Sequence, residues 1–101
     1  MNEQDERAIY EWLYSELAEL PQWELRKSRG LPPTAMWNGR FNAKMLPPLD
    51  MNTWHSDVLR QLNKAEVTVC FAHGQWHLDA NVFVNVDPYA ALLDYIKAVR
   101  S

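Results

Sequence analysis

A chain of 101 residues that is 48% hydrophobic and 12% aromatic can bury one small core without the support of a metal or a disulfide. Its formal net charge of −3 excludes the strongly basic composition of a general nucleic-acid or anionic-membrane binder. The single cysteine, Cys70, excludes an internal disulfide and is typical of a reducing cytoplasm. No apolar run reaches the roughly 18 residues of a membrane-spanning helix. We therefore expect a single cytoplasmic domain over residues 1–101, with no membrane contact.

The first predicted element is a helix over residues 1–20. Ile9, Leu13 and Leu17 recur at helical spacing, and acidic residues occupy the first turn, where the helix dipole favours them. This pattern predicts one amphipathic helix with an acidic outer side.

A connection rich in proline follows over residues 21–50. Inside it, Asn38-Gly39 is the preferred loop of a two-residue β-hairpin, which would place Trp37 opposite Arg40. The connection is otherwise predicted to be irregular.

The remaining residues, 51–101, predict an α-β-β-α unit. Asn52 is the expected N-cap of its first helix, whose apolar stripe includes Trp54, Val58 and Leu62, and Pro88 begins its last helix. The whole chain is therefore predicted to be an α+β domain with helices packed on an antiparallel sheet, in the order α-(ββ)-α-β-β-α.

The best-specified strand is residues 75–86, where every second side chain is apolar. A two-residue turn pairs its first half with a strand over residues 66–72 and sets Cys70 opposite His77. The second half, residues 81–86, extends beyond this pairing and needs another strand, from this chain or from a partner. The protein is therefore expected to be a monomer or a homodimer formed by strand addition.

The C-terminal half resembles a known family. It contains a proline-acid segment (residues 46–50), a strand (66–72), a Gly-aromatic hairpin (74–76) and a Pro-initiated helix of small and apolar residues (87–97). This succession resembles the phage ABA-sandwich domain family of small phage-encoded accessory proteins. The resemblance implies no catalytic residues, and it implies a host-directed role such as countering a defence system.

The strongest catalytic candidate is the pair formed by Cys70 and His77, with Asp79 on the same strand face. A flat strand pair lacks the helix terminus or oxyanion donors that would activate a thiol, so we interpret Cys70 as a buried apolar group. Adding His55 and His73 gives no closed zinc-ligand spacing. We therefore predict no enzyme activity, no cofactor and no metal site, and keep a Cys70/His77 nucleophile site as an alternative.

Charge is unevenly distributed along the chain. Residues 3–24 contain seven acidic residues and one basic residue, whereas residues 26–44 contain five basic residues and no acidic one. Aromatic residues are interleaved with the basic ones, as in protein interfaces and in binders of single-stranded nucleic acid. The candidate partner-binding residues are a basic set, Trp23, Arg26, Lys27, Arg29, Trp37 and Arg40, and an acidic set, Glu3, Glu11, Glu16 and Glu19.

These patterns predict a non-enzymatic, phage-encoded interaction protein that acts sterically in the host cytoplasm. Its expected partner is a host protein or a nucleoprotein complex, which it would modulate or block. The alternative is a single-stranded nucleic acid binding protein that uses the Trp- and Arg-rich residues 23–41.

Overall fold

The structure is a computed structural model that describes residues 1–20, 22–37 and 42–100, with Asn42 described for its backbone only. The chain forms two compact units, Met1–Leu49 and Asp50–Ser101. Each unit combines helices with a three-stranded antiparallel sheet, so the predicted α+β fold class is confirmed. No helix in the described residues has the length and apolar character needed to cross a bilayer. The single domain expected over residues 1–101 stays a prediction.

The N-terminal helix of the first unit is shorter than predicted. α1 spans Glu3–Leu13, and the Asn2 side chain caps it by accepting a hydrogen bond from a first-turn backbone N–H at 2.8 Å. Tyr14 then leaves the helical conformation, with φ −126° and ψ 94°, and α2 follows over Ser15–Ala18. The continuous helix predicted through residue 20 is therefore wrong. Periodicity could not reveal the break because Leu17 remains fully buried beyond it.

The sheet of the first unit is a meander with β2 in its centre. Its strands are β1 (Glu24–Arg26), β2 (Thr34–Trp37) and β3 (Asn42–Met45). The sequence did not predict β1, because three residues are too few to display a clear alternation. Trp37 pairs with Asn42, so the predicted register that set Trp37 opposite Arg40 is wrong. The predicted hairpin loop lies in residues 38–41, outside the described part of the chain.

The two faces of this sheet have different surroundings. Leu25 and Ala35 pair with each other and are 8% and 0% exposed, and Lys44, which pairs with Ala35, binds Glu16 of α2. These side chains mark the inner face, which is turned toward the helices. Alternation along the strands places the other side chains on the outer face. The outer face consists of Glu24, Arg26, Thr34, Met36, Ala43 and Met45.

A helix with a π-helical middle begins the second unit. Its N-cap is Asp50 rather than the predicted Asn52, because the Asp50 carboxylate accepts the backbone N–H of Thr53 at 3.0 Å. The helix consists of α3 (Met51–Thr53), a π-helical segment (Trp54–Val58) and α4 (Leu59–Lys64). The predicted apolar stripe is confirmed by three fully buried side chains, Trp54, Val58 and Leu62.

The second sheet begins with the predicted hairpin. β4 (Val69–Ala72) pairs with β5 (Gln75–Leu78), and Cys70 lies opposite His77, so the predicted register is confirmed. The first of these strands starts later than the predicted residue 66. Glu66 has a φ of 59°, which is incompatible with an extended strand.

The segment predicted as one long strand, residues 75–86, folds back on itself. Asp79, Ala80 and Asn81 have φ values of 56°, 52° and 75°, so three consecutive residues lie in the left-handed region. β6 (Phe83–Asn85) therefore returns beside β5, which becomes the central strand. The long strand is therefore a wrong prediction, and the strand with which its second half pairs is β5 of the same chain.

The last helix, α5, spans Pro88–Arg100, as predicted. The Asp87 carboxylate accepts the backbone N–H of Tyr89 at 3.0 Å and caps its first turn. α5 packs on β5 and β6, and Leu92 and Ile96 are 0% and 1% exposed. One face of the second sheet is therefore covered by helix.

The left-handed turn gives a stability prediction. A left-handed backbone costs an alanine about 1 kcal/mol relative to glycine, so Ala80→Gly should raise the free energy of unfolding by about 0.5 kcal/mol. Ala90→Gly within α5 is the matched control and should lower it by about 1 kcal/mol. Urea denaturation measures both shifts. A loss of stability in Ala80→Gly would contradict the turn.

Candidate interaction surface

Trp23, the first aromatic residue of the predicted basic set, lies in the core of the first unit. It is 2% exposed, and the guanidinium carbon of Arg7 lies 4.8 Å from the centre of its ring. Its indole N–H has no hydrogen-bond partner among the described residues. Trp23 therefore contributes packing and a cation–π contact rather than an accessible stacking surface.

Two of the five basic residues contact the acidic helices directly. The Lys27 ammonium donates to a carboxylate oxygen of Glu6 at 2.6 Å. The Lys44 ammonium donates to Glu16 and also lies 4.6 Å from the centre of the Tyr14 ring. The acidic and basic segments predicted as separate surfaces therefore pair with each other within the first unit.

The Lys44 contact changes the acidity of Glu16. A hydrogen bond from the Lys44 ammonium, with a smaller backbone hydrogen-bond contribution, lowers the pKa of the Glu16 carboxyl below its ordinary value of 4.5. Among the other residues of the acidic set, Glu3 and Glu19 are exposed and Glu11 is half-buried.

The other described residues of the basic set do not share one face of the sheet. Arg26 is exposed on the outer face, where its Nε lies 3.9 Å from a Glu24 carboxylate oxygen. Arg29 is exposed in the loop after β1. Trp37 is half-buried and alternates with Met36, so it belongs to the inner face. Arg40 lies outside the described residues. The structure therefore does not bring Trp23 or Trp37 onto the same face as Arg26.

The outer face is the surface that sequence reasoning missed. Met45 is 71% exposed, Ala43 and Arg26 are exposed, and Met36 is half-buried beside them. The β-ladder aligns Arg26 with Thr34 and Met45, so a cation and a methionine lie in one row across the three strands. Alternation over residues 43–45 was a possible signal, but it could not be interpreted without the position of β1.

The second unit places the alternative nucleophile pair on an open sheet face. Cys70 is exposed, so its predicted burial is wrong. His77 Nε2 lies 3.2 Å from the carbonyl oxygen of Ala72. No thiol–imidazole hydrogen bond joins Cys70 to His77 in the described structure. Within the same residues, no group of three or more His, Cys, Asp or Glu side chains could hold a metal ion.

Two clefts lie away from this pair. One, of about 570 Å³, is lined by residues of the first unit that include Glu3, Arg7 and Glu24. The other, of about 500 Å³, lies between α4 and the start of β4 and is lined by residues that include Leu59 and Val69. Neither Cys70 nor His77 lines either of these clefts.

No protein-family model, curated protein or solved structure matches this chain. The resemblance to the phage ABA-sandwich domain family stays a prediction.

The Lys44–Glu16 pair gives a pH prediction. A carboxyl whose pKa is lower in the folded state contributes stability above its unfolded pKa, and this contribution is lost as the pH falls through the folded pKa. Between about pH 7 and about pH 3, the wild type should lose more unfolding free energy than Glu16→Gln. Urea denaturation at both values tests this, with Glu19→Gln as a control that should behave as the wild type. Equal losses in the wild type and Glu16→Gln would contradict the pair.

The burial of Trp23 gives a second prediction about this unit. Trp23→Ala should lower the free energy of unfolding by about 3–5 kcal/mol, because it leaves a cavity in the core. Trp37→Ala, at a half-buried position, should cost less. Thermal denaturation measures both, and a near-neutral Trp23→Ala would contradict its place in the core.

Proposed function

We propose that the protein is a non-enzymatic interaction protein that binds a host protein or a nucleoprotein complex and modulates or blocks it. The binding surface that we assign is the outer face of the first sheet, with Arg26, Met36 and Met45 at its centre. Its action would be steric, because a bound protein domain covers the partner surface that other molecules need.

The exposure of Met45 carries this proposal. A methionine that is 71% exposed on a sheet face, in one row with an exposed arginine, has the composition that is enriched at protein interfaces. Methionine is flexible and polarizable, which suits it to partner surfaces of irregular shape. An arginine at the same place adds charge-assisted hydrogen bonds and can act as a binding hot spot.

The contacts of the first unit favour a protein partner over single-stranded nucleic acid. Binders of single strands combine accessible aromatic rings with free cations on one surface. Here Trp23 is buried, Trp37 belongs to the inner face, and Lys27 and Lys44 donate to carboxylates. The acidic set is the less favoured protein-binding surface, because Glu16 is already paired with Lys44.

The biological setting of the proposal comes from the sequence resemblance. Small phage accessory proteins act in the host cytoplasm against host factors, which implies an anti-defence role for this chain.

The proposal predicts the effect of a charge on the outer face. Met45→Asp should reduce partner capture by about tenfold or more, because a carboxylate in a desolvated interface is costly. Met51→Asp is the matched control, since Met51 is 45% exposed and begins the helix of the second unit. The measurement is quantitative affinity capture of the tagged full chain from host lysate, with and without nuclease and at two salt concentrations.

The results of this capture experiment distinguish a protein partner at the outer face from the single-stranded nucleic acid alternative. Stoichiometric capture of one protein that survives nuclease and is lost in Met45→Asp, but not in Met51→Asp, would support the proposal. Equal capture by both variants would overturn the assigned surface. Recovery of nucleic acid alone, lost at the higher salt concentration, would replace the protein partner with the single-strand alternative.

A further inference from the structure

β6 is one of the two edge strands of the second sheet, and its sequence is uncharged. Residues 82–86 read Val-Phe-Val-Asn-Val, and Val82, Val84 and Val86 are 64%, 36% and 67% exposed. Soluble proteins usually guard such an edge with lysine, proline or a bulge. The edge strands of the first sheet do carry charges, Glu24 and Arg26 on β1 and Lys44 on β3. Residues 82–86 carry no charge and no proline.

The hydrogen-bond pattern determines which peptide groups of β6 face outward. The N–H of Asp79 donates to the carbonyl of Thr68 at 2.9 Å, so these residues form a hydrogen-bonded pair across the first hairpin. Bonded and non-bonded pairs alternate in an antiparallel ladder. Cys70 and His77, two residues along, are therefore a bonded pair, and the peptide groups of His77 point toward β4.

The same alternation extends to the third strand. The peptide groups of Trp76 and Leu78, on either side of His77, point toward β6 and meet those of Asn85 and Phe83. Val84 lies opposite His77 in the non-bonded position. Its N–H and C=O therefore point away from the sheet, at the centre of the free edge.

We propose that β6 pairs with the β6 strand of a second copy of this chain, antiparallel and about a two-fold axis that passes beside Val84. The two Val84 residues then exchange both backbone hydrogen bonds. Val82 of one copy lies opposite Val86 of the other, so every valine of β6 and its flanking residues pairs with a valine. The two three-stranded sheets become one six-stranded sheet.

Self-complementarity favours a second copy as the occupant of this edge. In the proposed register every pair joins valine to valine or Phe83 to Asn85, and no charge opposes another charge. Pairs of β-branched residues are among the favourable cross-strand contacts. A two-fold pairing of like edges is also closed, so the assembly stops at two copies.

The first test is the oligomeric state of the full chain. Sedimentation equilibrium from about 1 µM to about 500 µM should show a reversible monomer–dimer equilibrium. In Val84→Lys two ammonium groups face each other at the axis, which should weaken the dimer by about tenfold or more. Val99→Lys is the matched control, because Val99 is 58% exposed and belongs to α5 rather than to β6; it should dimerise as the wild type does.

A second measurement keeps the proposal testable if Val84→Lys fails to fold. The double variant Cys70→Ser/Val84→Cys places a thiol beside the axis, where bonded antiparallel neighbours have Cα atoms about 5.5 Å apart, within disulfide range. Oxidised glutathione should convert it to a covalent dimer, whereas Cys70→Ser/Val99→Cys should remain mostly monomeric.

Three results would overturn the proposal. The first is a wild type that is monomeric at the highest concentration. The second is equal self-association of Val84→Lys and Val99→Lys. The third is assembly that grows beyond two copies, which would indicate pairing of β6 with the opposite edge, β4. The capture result for the outer face is independent of all three, because Met45 and Val84 lie in different units.

Discussion

In each unit of this protein, helices cover only one face of a small sheet. Each unit has three strands, and helices bury one side of them, so Leu25 and Ala35 in the first unit and Leu78 in the second are nearly or fully buried. The side chains that alternate with them must then meet water or a partner. Met45 and Val84 are apolar side chains that this arrangement leaves exposed, one in each unit, and both proposed contacts start from them.

The charges of the first unit follow from the same arrangement. Its helices are acidic, and two lysines contact them: Lys44, on the inner face of the sheet, reaches Glu16, and Lys27, just after β1, reaches Glu6. The pairs are at least partly exposed to water, and each contributes little to stability alone. Their larger effect is on the charges that remain available to a partner. The sequence suggests one acidic and one basic surface, but several of these charged side chains bind each other.

The sequence predicted those elements whose signals are local. The cap at Asp87, the helix from Pro88 and the register that opposes Cys70 to His77 all follow from turn and cap chemistry within a few residues. The sequence did not predict the turn at residues 79–81, because Ala80 gives no left-handed signal and the apolar alternation continues through the turn. The predicted basic surface failed for a different reason: Trp23 among cations is equally typical of a core residue and of a stacking platform, and only its 2% exposure decides between them.

Site-specific photo-crosslinking can show whether the outer face of the first sheet is the binding surface. A benzophenone amino acid would replace Met45 in one variant and Met51 in another, and each would be irradiated in the cells from which the partner is captured. We expect one dominant protein adduct from position 45 and none of the same mass from position 51. The same adduct from position 51, with none from position 45, would contradict the proposed binding surface.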